Sequence, residues 1–194
     1  MRIIGGAWRG RVLQSPPGLA TRPTAQRVRQ ALFDRLLHAP WAGRAWLDGA
    51  RVLDAFAGTG ALGLEALSRG AAHATFMEQD RAALLVLRAN IAACRADALV
   101  IASTVLEPPP GSPVALVFLD PPYGETLVPR AMAALTRLGW AGPDTVWAIE
   151  TGRDEAVAGE PVATFSHGAA TVHIRRGLAW SPIEPQEVGL GSRS

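Results

Sequence analysis

Val52-Leu53-Asp54-Ala55-Phe56-Ala57-Gly58-Thr59-Gly60-Ala61-Leu62-Gly63 is an apolar run that ends at glycines and reopens as a helix. Residues 52–56 read as a buried strand. Residues 57–60 form a glycine turn, and a helix follows through Ser68 with Gly70 as its C-cap. Gly58, Gly60 and Gly63 satisfy G-x-G-x-x-G after a strand and before a helix. Working outward, the alternation continues. Residues 73–78 are a second strand, 80–94 an Ala- and Leu-rich helix, and 98–102 a third strand. A proline loop at 108–111 precedes a fourth strand, and residues 126–138 form another helix. Residues 145–150 are a fifth strand, and 161–165 with 170–174 make a closing hairpin around His167-Gly168. Alternating strands and helices with a final antiparallel pair define an α/β chain with a doubly wound, mostly parallel seven-stranded sheet.

At 194 residues the chain suits one domain with a small extension. No run of 18 apolar residues exists, so no membrane span or membrane partner is expected. The start, Met1-Arg2-Ile3-Ile4-Gly5-Gly6, has no long apolar segment and reads as mature protein. One cysteine, Cys94, excludes an internal disulfide framework and suits a reducing, cytoplasmic location. It sits in a helical stretch and reads as a small core residue. The net charge of +2 hides an asymmetry, because residues 1–44 carry eight Arg and one acid, Asp34. Every basic residue outside the four histidines is Arg. Its planar fork binds phosphate bidentately, so a basic arm suggests a nucleic-acid contact. A solvated basic surface is the plainer alternative.

Residues 1–14 read as a short β-hairpin or extended arm, with apolar pairs Ile3-Ile4 and Val12-Leu13 around glycines. Residues 15–23 are loop. Thr24 is the expected N-cap of a helix to about His38, with Val28, Ala31, Leu32 and Leu36 as its apolar stripe. Residues 40–49 are a connection, in which Trp41 and Trp46 serve packing. The last segment, 181–194, reads as a disordered tail. The expected organisation is a basic hairpin and helix over 1–44, a catalytic domain over 45–180, and the tail.

The glycine turn invites a ligand to touch backbone. Glu78, twenty residues beyond Gly58 at the end of the second strand, is placed to accept both ribose hydroxyls of an adenosine cofactor, with Gln79 beside it. NAD and S-adenosylmethionine both want this arrangement. Two features favour S-adenosylmethionine. Asp54 ends the first strand four residues before Gly58, with Phe56 and Ala57 between them, and puts an acid near a cationic methionine end. The second feature is Val114-Ala115-Leu116-Val117-Phe118-Leu119-Asp120-Pro121-Pro122-Tyr123-Gly124. Two prolines lack the N–H a central strand needs, so the chain leaves the sheet at Asp120. An exocyclic amine is a poor nucleophile, because its lone pair is delocalised into the ring. The Asp120 carboxylate and the Pro121 carbonyl can accept its two N–H groups and aim the lone pair at a methyl donor. Pro121 and Pro122 stiffen the corner, and Tyr123 can stack on the base.

These motifs make the sequence similar to the RsmD-type family of bacterial 16S rRNA guanine-N2 methyltransferases over about residues 1–178. The glycine motif and Asp120 through Tyr123 are shared by many amino-methyltransferases. The family-specific stretches are Met1 through Gly6 with Trp8-Arg9-Gly10-Arg11, and Arg22-Pro23-Thr24 with Arg27-Val28-Arg29. The resemblance implies S-adenosylmethionine as cofactor and one guanine of 16S rRNA, at position 966, as target. It implies presentation of that guanine in the small ribosomal subunit or its assembly intermediate. Arg2, Arg9, Arg11, Arg22, Thr24, Arg27 and Arg29 would then hold RNA. The chain departs from the family pattern at Ala7, at Gln30, and after the third strand. There Thr104, beside Ser103, stands where an acid or amide is common for the cofactor adenine.

Scattered histidines and a single cysteine give no metal-ligand spacing, so no metal is expected. A monomer is the expected state. An adenine-N6 methyltransferase of DNA or RNA uses the same Asp-Pro-Pro-Tyr chemistry and stays open on the motifs alone. A non-catalytic nucleic-acid-binding assembly factor would leave Asp120 and Tyr123 idle, and an NAD-dependent oxidoreductase would leave the basic arm idle.

Overall fold

The protein is seen here as a computed structural model that describes residues 1–15, 23–41, 44–122, 127–153, 155, 157 and 159–177; the side chains of residues 23, 24 and 44 are outside that description. The strands are β1 (Arg51–Asp54), β2 (His73–Glu78), β3 (Ala98–Ala102), β4 (Leu116–Leu119), β5 (Val146–Gly152), β6 (Ala163–His167) and β7 (Ala170–Arg176). The helices are α1 (Pro23–His38), α2 (Arg44–Leu47), α3 (Ala61–Ser68), α4 (Arg81–Cys94) and α5 (Leu127–Arg137). The strands form one sheet in the order β3-β2-β1-β4-β5-β7-β6. Pairings from β3 to β5 are parallel, and β7 runs antiparallel to both β5 and β6. The doubly wound, mostly parallel seven-stranded α/β fold is therefore as expected.

The central strands are buried on both faces, which explains their unbroken apolar runs. On one face Leu32 and Phe33 of α1, Leu64 of α3 and Leu87 of α4 pack against Val52, Phe76 and Phe118. On the other, Ala131 and Leu135 of α5 pack against Leu53, Val117 and Trp147. The Trp147 indole is fully buried and donates to the Gly177 carbonyl at 2.9 Å, so the polar edge of the largest core side chain is satisfied. Cys94 is buried, as read.

Several boundaries differ from expectation. The helix starts at Pro23, so Thr24 is its second residue and not its N-cap. Proline suits that first position, because its missing N–H would have no intrahelical partner. The first strand ends at Asp54 rather than Phe56. There the chain turns out of the ladder: Ala55 N–H donates to Phe118 O at 3.1 Å on one side, and Ala57 N–H to Met77 O at 3.0 Å on the other. The 40–49 connection contains the single turn α2. The tail at 181–194 lies outside the described residues. No described helix is long and apolar enough to cross a membrane.

The N-terminal arm closes on itself through an antiparallel Arg2–Val12 bridge and lies on α3. Its Ile3 and Leu13 belong to the same core as α1, α3 and α4. Ile4 N–H and Gly5 N–H donate to the two Glu65 carboxylate oxygens at 2.8 and 2.9 Å. Ala7 N–H donates to Ser68 O at 2.7 Å. Gly6 sits at φ 77°, and a Cβ there would lie 1.7 Å from the Ser68 carbonyl oxygen. Only glycine lets the arm approach α3 this closely.

Candidate active site

β1 and β4 are neighbours, yet the chain leaves β1 towards β2 and leaves β4 towards β5. A crevice opens where the winding reverses, at the carboxyl ends of these strands. Asp54 closes β1, and Asp120 follows β4. They border a cleft of about 1010 Å³, lined also by Glu78, Thr104, Pro121 and Glu150. That volume is at the upper end of small-molecule sites, which leaves room for two ligands side by side.

The glycine turn is held by its acids. Gly60 caps α3 at φ 80°, in the left-handed region that favours glycine. Gly58 N–H donates to Glu78 Oε2 at 2.8 Å, and Gly63 N–H to Asp54 Oδ2 at 2.9 Å. Glu78 Oε1 accepts the N–H groups of Gln79 and Asp80, both at 2.8 Å. Three backbone donors thus already occupy the carboxylate expected to serve ribose hydroxyls. A carboxylate offers about four lone-pair positions, so capacity remains. From α4, Asn90 Nδ2 donates to Thr59 O at 2.9 Å and fixes the turn from outside. No Cβ contact would arise at Gly58 within 4 Å, so open space faces its backbone.

Asp54 is fully buried, and that desolvation pushes its carboxyl up to about 7 against the pull of the Gly63 N–H; Glu78 adds to the rise. Asp120 opens onto the cleft but is ringed by protein. Desolvation raises its carboxyl, followed by the charges of Glu150 and Asp54. Water in the open cleft moderates the first effect, and the acidic neighbours sustain the direction. The cleft therefore holds excess negative potential that a cationic ligand would relieve.

Asp54, Phe56, Ala57, Gly58, Glu78, Gln79, Ser103, Thr104, Asp120, Pro121 and Pro122 all line this one cleft. Gly60 is buried behind it and shapes the turn. The Thr104 hydroxyl accepts Leu106 N–H at 3.2 Å, and Ser103 Oγ donates to Glu107 O at 3.2 Å, so both shape the loop they stand on. Tyr123, Arg22 and the Thr24 side chain lie outside the described residues. Arg2, Arg9, Arg11 and Arg27 are exposed. Arg29 is a correction to the expected exposed RNA contact. It is buried, donates through Nη2 to Arg2 O at 2.8 Å, and stands 3.5 Å from Glu65. Its place on the inward face beside Val28 and Leu32 makes it a strut between arm and α3. Desolvation lowers its pKa despite the opposing Glu65 charge. Sequence reasoning missed Glu150, which stands within β5 one residue past the Ile149 that pairs with Leu119, and Asn90. The latter carries a signal: it falls on the buried stripe Leu84, Leu87, Cys94. Among the described residues no three His, Cys, Asp or Glu are grouped as metal ligands.

Residues 1–170 match the protein family described as conserved hypothetical protein 95. The chain is 42% identical over 154 residues to the ribosomal RNA small subunit methyltransferase D of Escherichia coli K12, covering 78% of this chain and 74% of that protein. It is 35% identical over 162 residues to the protein of the same name from Haemophilus influenzae, covering 80% of each. Among solved structures it superposes on a putative methyltransferase, yhhF, of Escherichia coli with a TM-score of 0.78 and 36% identity, over 93% of this chain and 99% of that one.

Proposed function

The chain belongs to the RsmD-type family described as conserved hypothetical protein 95, and from that premise we propose that it methylates the exocyclic N2 amine of one guanine in 16S rRNA, the guanine at position 966. The methyl donor is S-adenosylmethionine, and the substrate is the small ribosomal subunit or its assembly intermediate. The curated relatives are named for methylation of small-subunit rRNA. The single observation that carries the reading is that Asp120 and the glycine turn border one cleft at the winding reversal.

The residues present fit the cofactor. The backbone of Gly58 is bare on its open side, and Glu78 keeps a lone-pair position for ribose. Asp54 is a buried acid whose charge lacks compensation, which suits an ammonium group. Gln79, Ser103 and Thr104 line the same cleft and would meet the adenine end. When bound, S-adenosylmethionine supplies an electrophilic methyl on a sulfonium. Asp120 and the Pro121 carbonyl accept the two N–H groups of the target amine and turn its lone pair towards that methyl. Pro122 keeps the corner rigid, so orientation is set before the substrate arrives. Tyr123, the next residue in the chain, is assigned to stack on the base. The methylated nitrogen is cationic and sheds its proton readily, so no strong base is required. Arg2, Arg9, Arg11, Arg22, Thr24 and Arg27 contact the RNA, while Arg29 holds the arm that carries the first three.

Tritiated methyl transfer to naked rRNA, to small subunits and to DNA, followed by nucleoside analysis, tests the reading. N2-methylguanosine from ribosomal substrate is the expected product. N6-methyladenine in any substrate would replace it with the adenine-N6 reading, and no transfer at all would favour an assembly factor.

A further inference from the structure

The outer face of α4 carries Arg81, Arg88 and Arg95, the last as its C-cap, at intervals of seven residues. A seven-residue step returns to nearly the same side of a helix, about 10.5 Å further along. Arg81, Leu85, Arg88, Ala92 and Arg95 are all exposed, while Leu84, Leu87, Asn90 and Cys94 face the core. No acid occurs between Arg81 and Cys94. On a solvated helix face an acid three or four residues from an Arg stabilises it; Arg88 has Leu84, Leu85, Ile91 and Ala92 there instead. Arg81 stands in the first turn, where the helix dipole disfavours a cation. Among the described residues none of the three side chains makes a hydrogen bond or ion pair. The flanking acids are engaged elsewhere: Asp80 accepts Ala83 N–H at 2.8 Å, and Asp97 stands 3.4 Å from His73.

The N-terminal arm runs along the same helix. The Arg11 guanidinium donates to Ala93 O. Asn90 clamps the Gln14 backbone from both sides, accepting its N–H at 2.8 Å and donating to its carbonyl at 3.1 Å. The arm's exposed Arg11 and the α4 row therefore share one side of the molecule, with the exposed Arg9 two residues earlier on the same arm.

We propose that the Arg81–Arg88–Arg95 face of α4 is a second docking surface for the RNA sugar-phosphate backbone, continuous with the N-terminal arm. Rows of guanidinium groups without acidic partners complement a polyanion and read no bases. This inference rests on rRNA being the substrate. Binding by this face stabilises the subunit complex and leaves the methyl-transfer chemistry untouched.

The test compares wild type, Arg88→Gln, the triple variant Arg81→Gln/Arg88→Gln/Arg95→Gln, and Arg137→Gln on the exposed end of α5. Methylation of small subunits is followed against subunit concentration at several salt concentrations, with cofactor affinity and thermal midpoint measured in parallel. The triple variant should raise KM for subunits about tenfold or more at ~0.15 M salt and reduce the slope of log affinity against log salt by about 2 to 3, since each lost phosphate contact removes nearly one unit. Its kcat and cofactor affinity should stay near wild type. Arg88→Gln should reduce the slope by about 1, and Arg137→Gln should change neither quantity. A triple variant with wild-type KM and slope would overturn the inference while leaving the methyltransferase reading intact, as would an Arg137→Gln loss equal to that of Arg88→Gln. Failure of wild type to methylate subunits at all would instead bring down the reading beneath it.

Discussion

Asp120 and Asp54 are two buried or half-enclosed acids with different tasks, and pH separates them. Asp120 must be ionised to accept both amine hydrogens well, and its carboxyl is raised by desolvation and by Glu150 and Asp54. The rate constant for methyl transfer is therefore expected to rise with pH through the neutral range. Asp120→Asn should flatten that rise, because an amide oxygen accepts without titrating; a single-turnover pH profile reads it directly. Asp54 acts on stability. Its folded carboxyl titrates near 7 against an ordinary 3.8, so between those values the folded state holds a proton that the unfolded state has lost. Stability from this group is intact below about pH 4 and falls as pH rises towards 7. Asp54→Asn should flatten the fall in Tm of the ligand-free protein over that window, while weakening S-adenosylmethionine binding about tenfold or more through loss of a charge partner. Thermal scans from pH 4 to 8 with and without cofactor separate the two effects.

Glu65 of α3 is the joint between arm and sheet domain. Its side chain is fully buried and receives two arm N–H groups, the Arg69 guanidinium at 2.7 Å and the nearby Arg29. Glu65→Ala leaves two buried guanidinium groups without their partner. It should cost about 3 kcal/mol and lower Tm by roughly 6–12 °C. Asn90 of α4 couples arm to cofactor turn through Gln14 and Thr59. Asn90→Ala should weaken cofactor binding by about 1–2 kcal/mol even without RNA, since two carbonyls and one N–H lose their partner; calorimetric titration measures it. The helices that carry these residues are legible in the sequence, because their apolar stripes have helical spacing. The burial of Glu65 is not. Gly63-Leu64-Glu65-Ala66 reads as an ordinary helix turn until the arm, some sixty residues earlier, folds over it. Arg29 deceives for the same reason: on its own helix it is one more basic residue, and only the docked arm encloses it.

The whole molecule follows the alternation of its strands. The succession of strands and helices and the placing of Asp54, Glu78 and Asp120 at strand ends are legible in local runs, glycines and prolines, because a parallel strand is buried on both faces and ends where its apolar run ends. Thr104 enters only through the family resemblance, and the order of the strands in the sheet, with its crevice, only through the fold. Long-range use of a side chain is harder to read. Glu78 is expected at a ribose, yet it also carries the N–H groups of Gln79 and Asp80, which follow it in the chain, and that of Gly58, which becomes its neighbour only once β1 and β2 pair. The base identity is harder still, since Asp120 and Pro121 hold an amine of either purine. Glu150, brought beside Asp120 by the pairing of Leu119 with Ile149, is visible only in the folded sheet.

Methyl transfer from radiolabelled S-adenosylmethionine to small ribosomal subunits, measured in single turnover for wild type and Asp120→Ala with cofactor affinity recorded for both, addresses the corner after β4 most directly. Loss of the aligned acceptor should slow transfer by about 10²-fold or more, with N2-methylguanosine as the wild-type product and cofactor affinity within about twofold. Transfer by Asp120→Ala at the wild-type rate would contradict the role assigned to that corner.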